Sequence, residues 1–440
     1  MIAASELFKL NRFDLLISLL LAGSMWFYVD HILVTHQKQY ATEHQIPRGN
    51  LSDLYPRWLG SRELLLNGRD PYSPEVTREI QAEYYGRPLD PARPDDPKDE
   101  ERFAYPVYVA FLLAPTVKLP FPVVRAMFSI LLAVLTMLSI PFWLRILGWR
   151  CSLATTAILI VLTLGSFGAV QGIKLQQLTL LVSALIAAGT TALVSGHLII
   201  AGILIALSTI KPQLALPLAG WLTLWTIGNF HERWKFLAGL LISIAVLLAA
   251  SQYLLPGWIA RFADAIIQYR RYTGDAGSVL DVLLSPAVGR LLACLLVILV
   301  AAISWRMRHA SAKSDDFRAT TALVLAVTVV IVPMTAPYNQ LLLLLSILLI
   351  IRAASKLWHA SRLARAMLVT GAVVLFEPFL AALALTVLSF MVPTHRLLEL
   401  WAVPLYSSLA IPIAIFSLLL SILYSENFFG LQSRPAAHSA

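Results

Sequence analysis

The chain has 440 residues, of which 58% are hydrophobic and only 13% are charged, and its mean hydropathy is +0.74. A single soluble core would not bury that much apolar surface, so the composition excludes an ordinary water-soluble protein and indicates a membrane protein. The net charge of +9 does not indicate a nucleic-acid partner, because the cytoplasmic loops of membrane proteins collect Lys and Arg.

The first predicted element is a helix over residues 14–34, which is long enough to span a bilayer. No small-residue cleavage site follows this apolar run, so we expect a retained helix and not a signal peptide. The longest polar interval follows, and we predict that residues 35–121 form a first external loop with short interfacial helices. Inside it, residues 106–118 form an apolar run that contains Pro115 and is too short to span, which predicts a re-entrant or interfacial segment.

Eleven further apolar segments are predicted to cross the bilayer, each needing about 20 helical residues. They cover residues 122–147, 151–167, 176–195, 197–210, 213–229, 235–255, 286–306, 318–334, 338–352, 366–391 and 400–424. Residues 197–229 also fit two half-spans or tilted helices. We therefore predict an all-α integral membrane protein with about twelve transmembrane helices. Residues 1–430 would form one membrane-embedded domain, and residues 431–440 a flexible cytoplasmic tail.

Cys151 and Cys294 lie in or beside these apolar runs, which predicts neither a disulfide nor a cysteine metal site. Basic residues cluster between the predicted spans, and the positive-inside rule makes such clusters cytoplasmic. The clusters are Lys9 and Arg12; Arg145 and Arg150; Arg233 and Lys235; Arg306, Arg308, Lys313 and Arg318; and Arg352, Lys356, Arg362 and Arg365. With twelve crossings all five clusters fall on one side, and both termini are predicted to be cytoplasmic.

The stretch SDLYPRWLGSRELLLNG, just after the first helix, predicts a short second helix. Pro56 suits its first position and Gly68 its end, so the helix would cover residues 56–67 and lie along the membrane interface. Asp53 would then lie at the entry to this helix, close to the lipid headgroups. The alternative is that Asp53 or Ser52 serves only as a helix cap.

Five short motifs occur in a fixed order along the chain. They are SDLYPRW at residues 52–58, GRDPY at 68–72, FAYP at 103–106, QQLT at 176–179 and the helix AGILIALSTIKPQ at 201–213, which ends in a Lys-Pro pair. Together they resemble glycosyltransferase family 87 of the GT-C superfamily, the α-mannosyltransferase type that uses a polyprenyl-phosphate sugar. Two departures stand out: Gln176 replaces a glycine of the family motif, and TAPYNQ at 335–340 lacks a His that some relatives carry there.

The resemblance implies a GT-C helical fold and transfer of a sugar, mannose by analogy, from a polyprenyl-phosphate donor to a hydroxyl of a lipid or glycan acceptor. Such a transfer proceeds with inversion and needs a base on the face opposite the leaving group, as in inverting glycosidases. By its match to the family's loop acid, Asp53 is the candidate base. The donor, the acceptor and membrane lipids are the expected partners. We predict no metal or other cofactor, with assistance by a divalent ion left open.

The leaving phosphate needs cations, and Lys211 is the first candidate because an ammonium in an apolar context is costly and usually functional. The alternative is that Lys211 only snorkels to the interface. The other candidate phosphate ligands are Arg57, Lys174, Arg270 and Arg271, of which the last two also fit a solvated amphipathic loop. The candidate sugar or acceptor ligands are Tyr55, Trp58, Tyr72, Tyr105, Gln171, Gln177, Asn339 and Gln340. Amide side chains at such positions often simply cap membrane helices.

Several other acids were weighed against these roles. Asp95, Asp96, Asp99 and Glu100 resemble a metal cluster, but the interleaved prolines and Lys98 favour a solvated charged loop. Glu377 lies in an apolar helix, where it would be structural or line a lipid groove. Asp281 is a second-choice acid near the end of an external loop.

Two rival functions use the same class of fold. A transporter or lipid flippase would show broken helices at the membrane midplane and internal repeats, whereas the polar residues here concentrate at one face and no repeat is found. A polymerase or ligase of envelope glycans would be expected to rely on external Arg and His instead of an acid just after the first helix. We therefore predict a glycosyltransferase of the bacterial inner membrane with its active site on the periplasmic side.

Overall fold

The computed structural model describes residues 12–45, 47, 52–90, 92–93, 96–97, 99–272, 277–333 and 335–425, with the side chains of 270–272 and 424–425 left out. The predicted tail at 431–440 lies outside these residues. The first ten helices are α1 Arg12–Glu43, α2 Tyr55–Asn67, α3 Pro74–Tyr85, α4 Val109–Leu113, α5 Phe121–Leu147, α6 Leu153–Gly165, α7 Phe167–Lys174, α8 Leu178–Val194, α9 Leu198–Ser208 and α10 Pro212–Gly228. The next ten are α11 Phe230–Leu254, α12 Trp258–Tyr272, α13 Val279–Leu283, α14 Pro286–Met307, α15 Asp315–Ile331, α16 Leu344–Ala360, α17 Arg362–Leu388, α18 Thr394–Glu399, α19 Val403–Ser408 and α20 Ile411–Ser425. Every regular element in the described ranges is helical, which confirms the all-α prediction.

Seven helical segments of the described chain are long and apolar enough to cross a membrane. They are α1, α5, α11, α14, Pro337–Ala360 (a 3₁₀ turn that continues into α16), α17 and Thr394–Leu423. The shortest of them has 22 residues, which at about 1.5 Å per residue exceeds the roughly 30 Å of bilayer hydrocarbon. The protein is therefore a multi-pass membrane protein.

The remaining predicted spans contain helices that are bent or short. Helices α6 and α7 together are long enough for an eighth span but meet at an angle of 59°. Helices α8, α10 and α15 have 17 residues each, and α9 has only 11. At about 1.5 Å per residue, α9 reaches about half-way through the hydrocarbon, so the half-span alternative describes it better than a full crossing.

Short helices can pack closely where glycine removes the side chain. A Cβ atom at Gly202 of α9 would overlap the backbone of α11 at Phe236 and Leu240. Likewise, a Cβ atom at Gly239 of α11 would overlap the backbone of Ile199. The two backbones are therefore in direct contact, as is common for small residues in membrane helix pairs. This contact holds α9 and the break after it, residues 209–211, against a helix that does span.

The first loop begins later than predicted. Helix α1 continues beyond residue 34 to Glu43, with a π-helical turn over Tyr28–Leu33. Helices α2, α3 and α4 then lie in the loop, as expected for short loop helices. The predicted re-entrant run at 106–118 contains α4 and the 3₁₀ turn Ala114–Thr116, which are too short to cross a bilayer.

Four of the five basic clusters meet at one end of the helices, which we call the basic face. Arg318 and Arg352 donate hydrogen bonds of 2.8 and 2.5 Å to the last carbonyls of α5, beside the first of these clusters. Arg233 donates to the carbonyl of Arg308 at 2.9 Å. This is the arrangement that the positive-inside rule requires, and the compartment that the basic face contacts stays a prediction. The end that carries α2, α3 and α4 is called the loop face below.

Candidate functional site on the loop face

Helix α2 begins and ends as its sequence predicts, but its surroundings differ. Pro56 lies in its first turn, and Gly68 ends it with a φ of 65°, a left-handed conformation that glycine adopts without strain. Of its polar residues, Arg57 and Glu63 are buried and Arg62 is exposed, so α2 packs against the protein along much of its surface and does not lie free on the interface. The N-cap is Leu54, and no side chain caps the helix, so the cap interpretation of Asp53 and Ser52 is wrong.

Asp53 is held in place by residues far along the chain. Its backbone N–H donates to the carbonyl of Leu175 at 2.9 Å, and its carboxylate accepts a hydrogen bond from Nε2 of Gln177. The side chain is partly exposed. Burial raises the pKa of Asp53 above its ordinary value, whereas Arg57, the Gln177 hydrogen bond and Lys211 each lower it. The result is a carboxylate with increased proton affinity, on a residue that is not fully buried.

Lys211 lies in the break between α9 and α10, next to Pro212 at the first position of α10. Its ammonium donates to Oε1 of Gln177 and to Oγ1 of Thr179, both at 2.7 Å. An ammonium can only donate, so the oxygen of the Gln177 amide must face Lys211 and its NH₂ must face Asp53. A single amide therefore connects the candidate base to the candidate phosphate ligand.

Two aromatic rings complete the surroundings of the cations. Lys211 Nζ lies 5.7 Å from the ring centre of Tyr105 and 5.2 Å from that of Tyr338. The Arg57 guanidinium lies 4.7 Å from the ring centre of Tyr105. Cation–π contacts of this kind stabilise positive charge without neutralising it. The rings of Tyr105 and Tyr338 thus line this region without supplying a negative charge.

Both cations also keep unused donors. Arg57 donates one hydrogen bond within the described chain, to the carbonyl of Asp53 at 2.8 Å, and its buried Nε has no partner there. Lys211 uses two of its three N–H groups. Both residues are more than nine-tenths buried, at 9% and 7% exposure. Buried donors without partners are unfavourable, so such groups indicate a site for a ligand that accepts hydrogen bonds.

The family departure at Gln176 has a structural reason. Gln176 has a φ of 50°, in the left-handed region where glycine is favoured, so a glycine at this position in relatives is expected. Here the side chain compensates for the strain. Its amide donates to Oγ of Ser129 and to the carbonyls of Ile173 and Lys174, and its oxygen accepts from Ser52. The stretch that shows the second departure, TAPYNQ at 335–340, carries Tyr338.

The structure places other predicted phosphate ligands elsewhere. Lys174 is paired with Asp30 of α1, with Nζ 2.5 and 2.8 Å from the two carboxylate oxygens, so its charge is already balanced away from Asp53. The predicted external position of Lys174 made it a candidate phosphate ligand, but its partner Asp30 lies 144 residues earlier in the chain. The side chains of Arg270 and Arg271 lie outside the described part of the chain.

Several predicted sugar ligands are occupied by structural contacts. The Tyr72 hydroxyl donates to the carbonyl of Tyr105 at 2.6 Å, and Gln340 donates to the carbonyl of Ser408 at 2.7 Å. Trp58 donates to the carbonyl of Thr116 at 3.2 Å. Tyr72 and Trp58 thus hold the loop together, and Gln340 joins the Pro337–Leu343 turn to α19.

The remaining predicted ligands differ in how they are placed. Tyr55 packs edge-on against Phe121, with ring centres 4.8 Å apart. Asn339 is buried beside Thr179, whose hydroxyl lies 3.5 Å from its Oδ1, so it lies one contact away from Lys211. Gln171 has a buried Oε1 without a partner among the described residues. Of the predicted sugar ligands, the structure therefore brings Tyr105, Gln177 and Asn339 close to Lys211.

The other acids divide into structural and site residues. Asp281 accepts from the Ser278 N–H at 2.7 Å and caps α13, which gives it a local role. Asp96 pairs with Arg87, which lowers the pKa of that carboxyl to about 2. Asp95 lies outside the described residues. No group of His, Cys, Asp and Glu residues within the described ranges is arranged to hold a metal ion.

One acid that the sequence interpretation missed belongs to the site. Glu101 is 9% exposed, and its Oε2 lies 3.8 Å from NH1 of Arg57. Its φ of 46° is left-handed, a strained conformation for a residue with a side chain. Glu101 directly follows Glu100, at the end of the Pro- and charge-rich stretch for which the sequence predicts a solvated loop. The folded structure is needed to show that its carboxylate lies near Arg57.

An apolar cavity of about 450 Å³ lies between α6, α16, α17 and α20. Its lining runs along the length of α6 and α16, and at the loop face it ends at Gly168 and Gln340. Gly168 is in direct contact with the Pro337 backbone, one residue before Tyr338. A single 3₁₀ turn, Pro337–Leu343, therefore separates the cavity from Lys211. Glu377 lies on α17 between two lining residues, and its Oε2 is buried without a partner in the described chain.

Comparison with known proteins gives one match. The model of glycosyltransferase family 87 matches residues 103–337, more than half of the chain, and no curated protein and no solved structure matches. The matched range contains Tyr105, Gln177 and Lys211, but it begins after Asp53 and Arg57 and ends one residue before Tyr338. Cations with unused donors, a partly exposed carboxylate and an adjacent apolar cavity are all compatible with a lipid-linked sugar substrate. The chain belongs to glycosyltransferase family 87 and is a multi-pass membrane glycosyltransferase.

Proposed function

We propose that the protein transfers a sugar from a polyprenyl-phosphate donor to a hydroxyl group of a lipid or glycan acceptor, with Asp53 as the general base. The observation that carries the proposal is that Asp53 and Lys211 hydrogen-bond to opposite ends of the same Gln177 amide. A base and a phosphate ligand are thereby held a fixed distance apart. Inverting transfer needs this arrangement, because the acceptor attacks on the face opposite the leaving group.

In the proposed reaction the acceptor oxygen forms a bond to the anomeric carbon while its proton moves to the Asp53 carboxylate. The bond between the anomeric carbon and the phosphate oxygen breaks, and its electron pair leaves with the phosphate. Lys211 and Arg57 stabilise the charge that develops on that oxygen with the N–H groups that the free protein does not use. The raised pKa of Asp53 supports this role, since a base with greater proton affinity accepts a proton more readily.

The lipid part of the donor is proposed to occupy the apolar cavity beside the Pro337–Leu343 turn. The cavity ends within one turn of Tyr338, which contacts Lys211, so a phosphate at Lys211 and a chain in the cavity are compatible. Burial of isoprenoid methylene and methyl groups there would contribute about 0.8 kcal/mol per carbon group. Mannose as the sugar follows from the family resemblance alone.

The side of the membrane follows from charge. The basic face gathers Arg233, Arg308, Arg318 and Arg352, and positive residues favour the cytoplasm. We propose that the loop face, with Asp53, lies on the periplasmic or extracellular side of a bacterial plasma membrane. Reaction of a membrane-impermeant thiol reagent with single cysteines introduced at Lys118 and Lys313, in intact cells, tests this orientation. Labelling at position 118 alone is expected.

Asp53→Asn tests the chemistry. We expect the variant to fold and to bind donor, and to release polyprenyl phosphate from polyprenyl phosphomannose about 10²- to 10⁴-fold more slowly in proteoliposomes that contain bacterial lipid acceptors. Asp70→Asn is the matched control, because Asp70 is a loop-face carboxylate that pairs with Arg261 and does not contact the site. Unchanged turnover in Asp53→Asn would overturn the proposal.

A further inference from the structure

Arg57 and Glu101 form an unusual pair on the loop face. Their closest atoms are 3.8 Å apart, which is too long for a hydrogen bond, although both side chains are about nine-tenths buried. A buried ion pair that stabilises a fold normally has close, well-aligned hydrogen bonds, because both charges have lost their water. This pair lacks such hydrogen bonds, so the two charged groups lie near each other without a hydrogen bond between them.

The backbone at Glu101 is strained in a way that keeps this spacing. Glu101 has a positive φ, and its N–H donates to Oδ1 of Asp99 at 3.1 Å. Of three non-glycine residues with positive φ in the described chain, Glu101 and Gln176 both lie beside Asp53. Strain of about 1–3 kcal/mol per residue persists only where the surrounding structure imposes it, and it concentrates at functional sites.

Arg57 carries the second, independent observation. Its Nε is buried, has no partner among the described residues and belongs to a residue that is more than nine-tenths buried. Carboxylate groups surround it, yet none of them takes this donor. A planar guanidinium binds phosphate through pairs of N–H groups, and here such donors are available without moving the side chain.

We infer that Glu101 is a positioning residue that acts as the resident counter-ion of Arg57 and is replaced in that role by the phosphodiester of the donor. The inference rests on the proposed function. In the free protein Glu101 partly balances the Arg57 charge and keeps the guanidinium oriented over Tyr105. When the phosphodiester binds, two anions cannot share Arg57 in a buried site, so Glu101 takes up a proton from solvent.

The surroundings of Glu101 make this proton uptake possible. The groups that face it are Asp99 on its own segment, Asp53 and Arg57 at α2, Tyr84 on α3 and Tyr269 on α12. Burial raises the pKa of Glu101 well above its ordinary value, and the like charges of Asp99 and Asp53 raise it further. Arg57 and Tyr84 oppose this shift. A phosphodiester at Arg57 would remove part of that opposition and favour the protonated form.

The sign of the pH dependence follows. Below the raised pKa Glu101 is neutral and does not compete for Arg57, so the phosphodiester binds tightly. As pH rises through that pKa, Glu101 ionises and affinity falls. One pKa unit corresponds to a tenfold change in binding, and linkage makes the effect reciprocal. We expect the dissociation constant to rise about tenfold across the transition.

The test measures binding of farnesyl methyl phosphate, a phosphodiester that keeps one negative charge at every pH used and carries no sugar. Asp53→Asn protein is the parent, because it removes the titration of Asp53 from the measurement. The dissociation constant is expected to rise about tenfold with pH in this parent and to stay flat, at the tight value, when Glu101→Gln is added. Asp99 is present in both proteins, so its titration affects both pH profiles and does not account for a difference between them.

Glu100→Gln in the same parent is the matched control, since Glu100 pairs with Arg102 and should leave the pH dependence unchanged. Equal pH dependence with and without Glu101→Gln would overturn the inference while leaving Asp53 catalysis intact. Weaker binding after Glu101→Gln at every pH would also overturn it, because Glu101 would then assist the ligand. No binding to either protein would contradict the proposed function itself.

Discussion

The two ends of the molecule bury arginine in opposite ways. On the basic face, Arg233 is 8% exposed and donates to the carbonyls of Trp225, Arg308 and Ala310 at 2.6, 2.9 and 3.0 Å, with its guanidinium 4.0 Å from the Trp225 ring centre. On the loop face, Arg57 is 9% exposed and makes one hydrogen bond to the described residues.

Equal burial therefore conceals different roles. Arg233 donates to neutral backbone carbonyls and so joins the ends of α10, α11 and α14. These hydrogen bonds leave no need for a bound ligand. Arg57 and Lys211 are surrounded by ionisable groups and keep donors unused. A satisfied buried cation indicates structure, whereas an unsatisfied one indicates a ligand. The predictions below test this distinction, beginning with the largest expected effect on turnover.

Among the cation variants, Lys211→Met should have the largest effect on turnover. Removal of a cation that stabilises charge on the leaving group typically costs about 10²- to 10³-fold in kcat. We expect that loss, measured as polyprenyl phosphate released in proteoliposomes, together with a thermal unfolding temperature close to that of the parent. Lys118→Met removes an exposed loop-face lysine and is expected to leave turnover unchanged. Full activity of Lys211→Met would remove the leaving phosphate from this part of the molecule.

The sequence indicated much of this site but not all of it. Asp53, Gln177, Lys211 and Tyr105 lie in motifs that the family resemblance brings out, and the structure brings them together. Glu101 was hidden in a Pro- and charge-rich stretch, because its importance depends on a fold that places it near Arg57. Lys174 was grouped with the phosphate ligands since no local pattern reveals Asp30 as its partner.

The fold likewise combines features that local sequence predicts with features that depend on tertiary contacts. Apolar runs predict the long membrane helices, and proline and glycine predict the ends of α2. The number of full crossings depends on helix length, and α9 and the bent pair α6–α7 show that apolar composition does not fix it. Where α9 stops is decided by its contact with α11 at Gly202 and Gly239 and by the break at Lys211, and these are tertiary features.

Gln177→Leu should lower kcat/KM about 10- to 100-fold, because the amide that orients Asp53 and Lys211 is lost. It also changes the pH profile. The Gln177 hydrogen bond lowers the pKa of Asp53, so its removal raises that pKa further. The base must be ionised, so activity is lost as pH falls through the pKa of Asp53, and the midpoint of this acid limb should move to higher pH.

Gln340→Leu is the matched control for that shift, because Gln340 bonds the backbone carbonyl of Ser408 and no ionisable group. Its acid limb should coincide with that of the parent protein. A Gln177→Leu enzyme with a reduced rate but an unshifted acid limb would show that the amide has only a structural role.

Arg233→Met should reduce stability and leave turnover nearly unchanged. Three carbonyl groups lose their charged donor, and hydrogen bonds to charged groups contribute about 1.5–3 kcal/mol each, so we expect the free energy of unfolding to fall by at least about 3 kcal/mol. Turnover per folded molecule should stay within about twofold of the parent. Thermal unfolding in detergent and activity of the folded fraction check the two parts separately.

Arg57→Met should show the opposite result, with a large loss of turnover and a smaller loss of stability. It loses one hydrogen bond and the contact with Tyr105, so its stability should fall by less than that of Arg233→Met, while its kcat falls about 10²-fold. If the two variants lost stability and turnover in equal proportion, the number of unused donors would not separate structural from functional cations in this protein.

Lys174→Met should have the smallest effect and sharpens the comparison within the loop face. Lys174 and Asp30 are each more than one-third exposed, and such ion pairs contribute about 0–1 kcal/mol. Their charges balance each other, so neither is available to a phosphate. We expect turnover within about twofold of the parent and a slight decrease in unfolding temperature. A hundredfold loss would mean that Lys174 exchanges Asp30 for the donor, and a paired cation would then no longer count as a structural one.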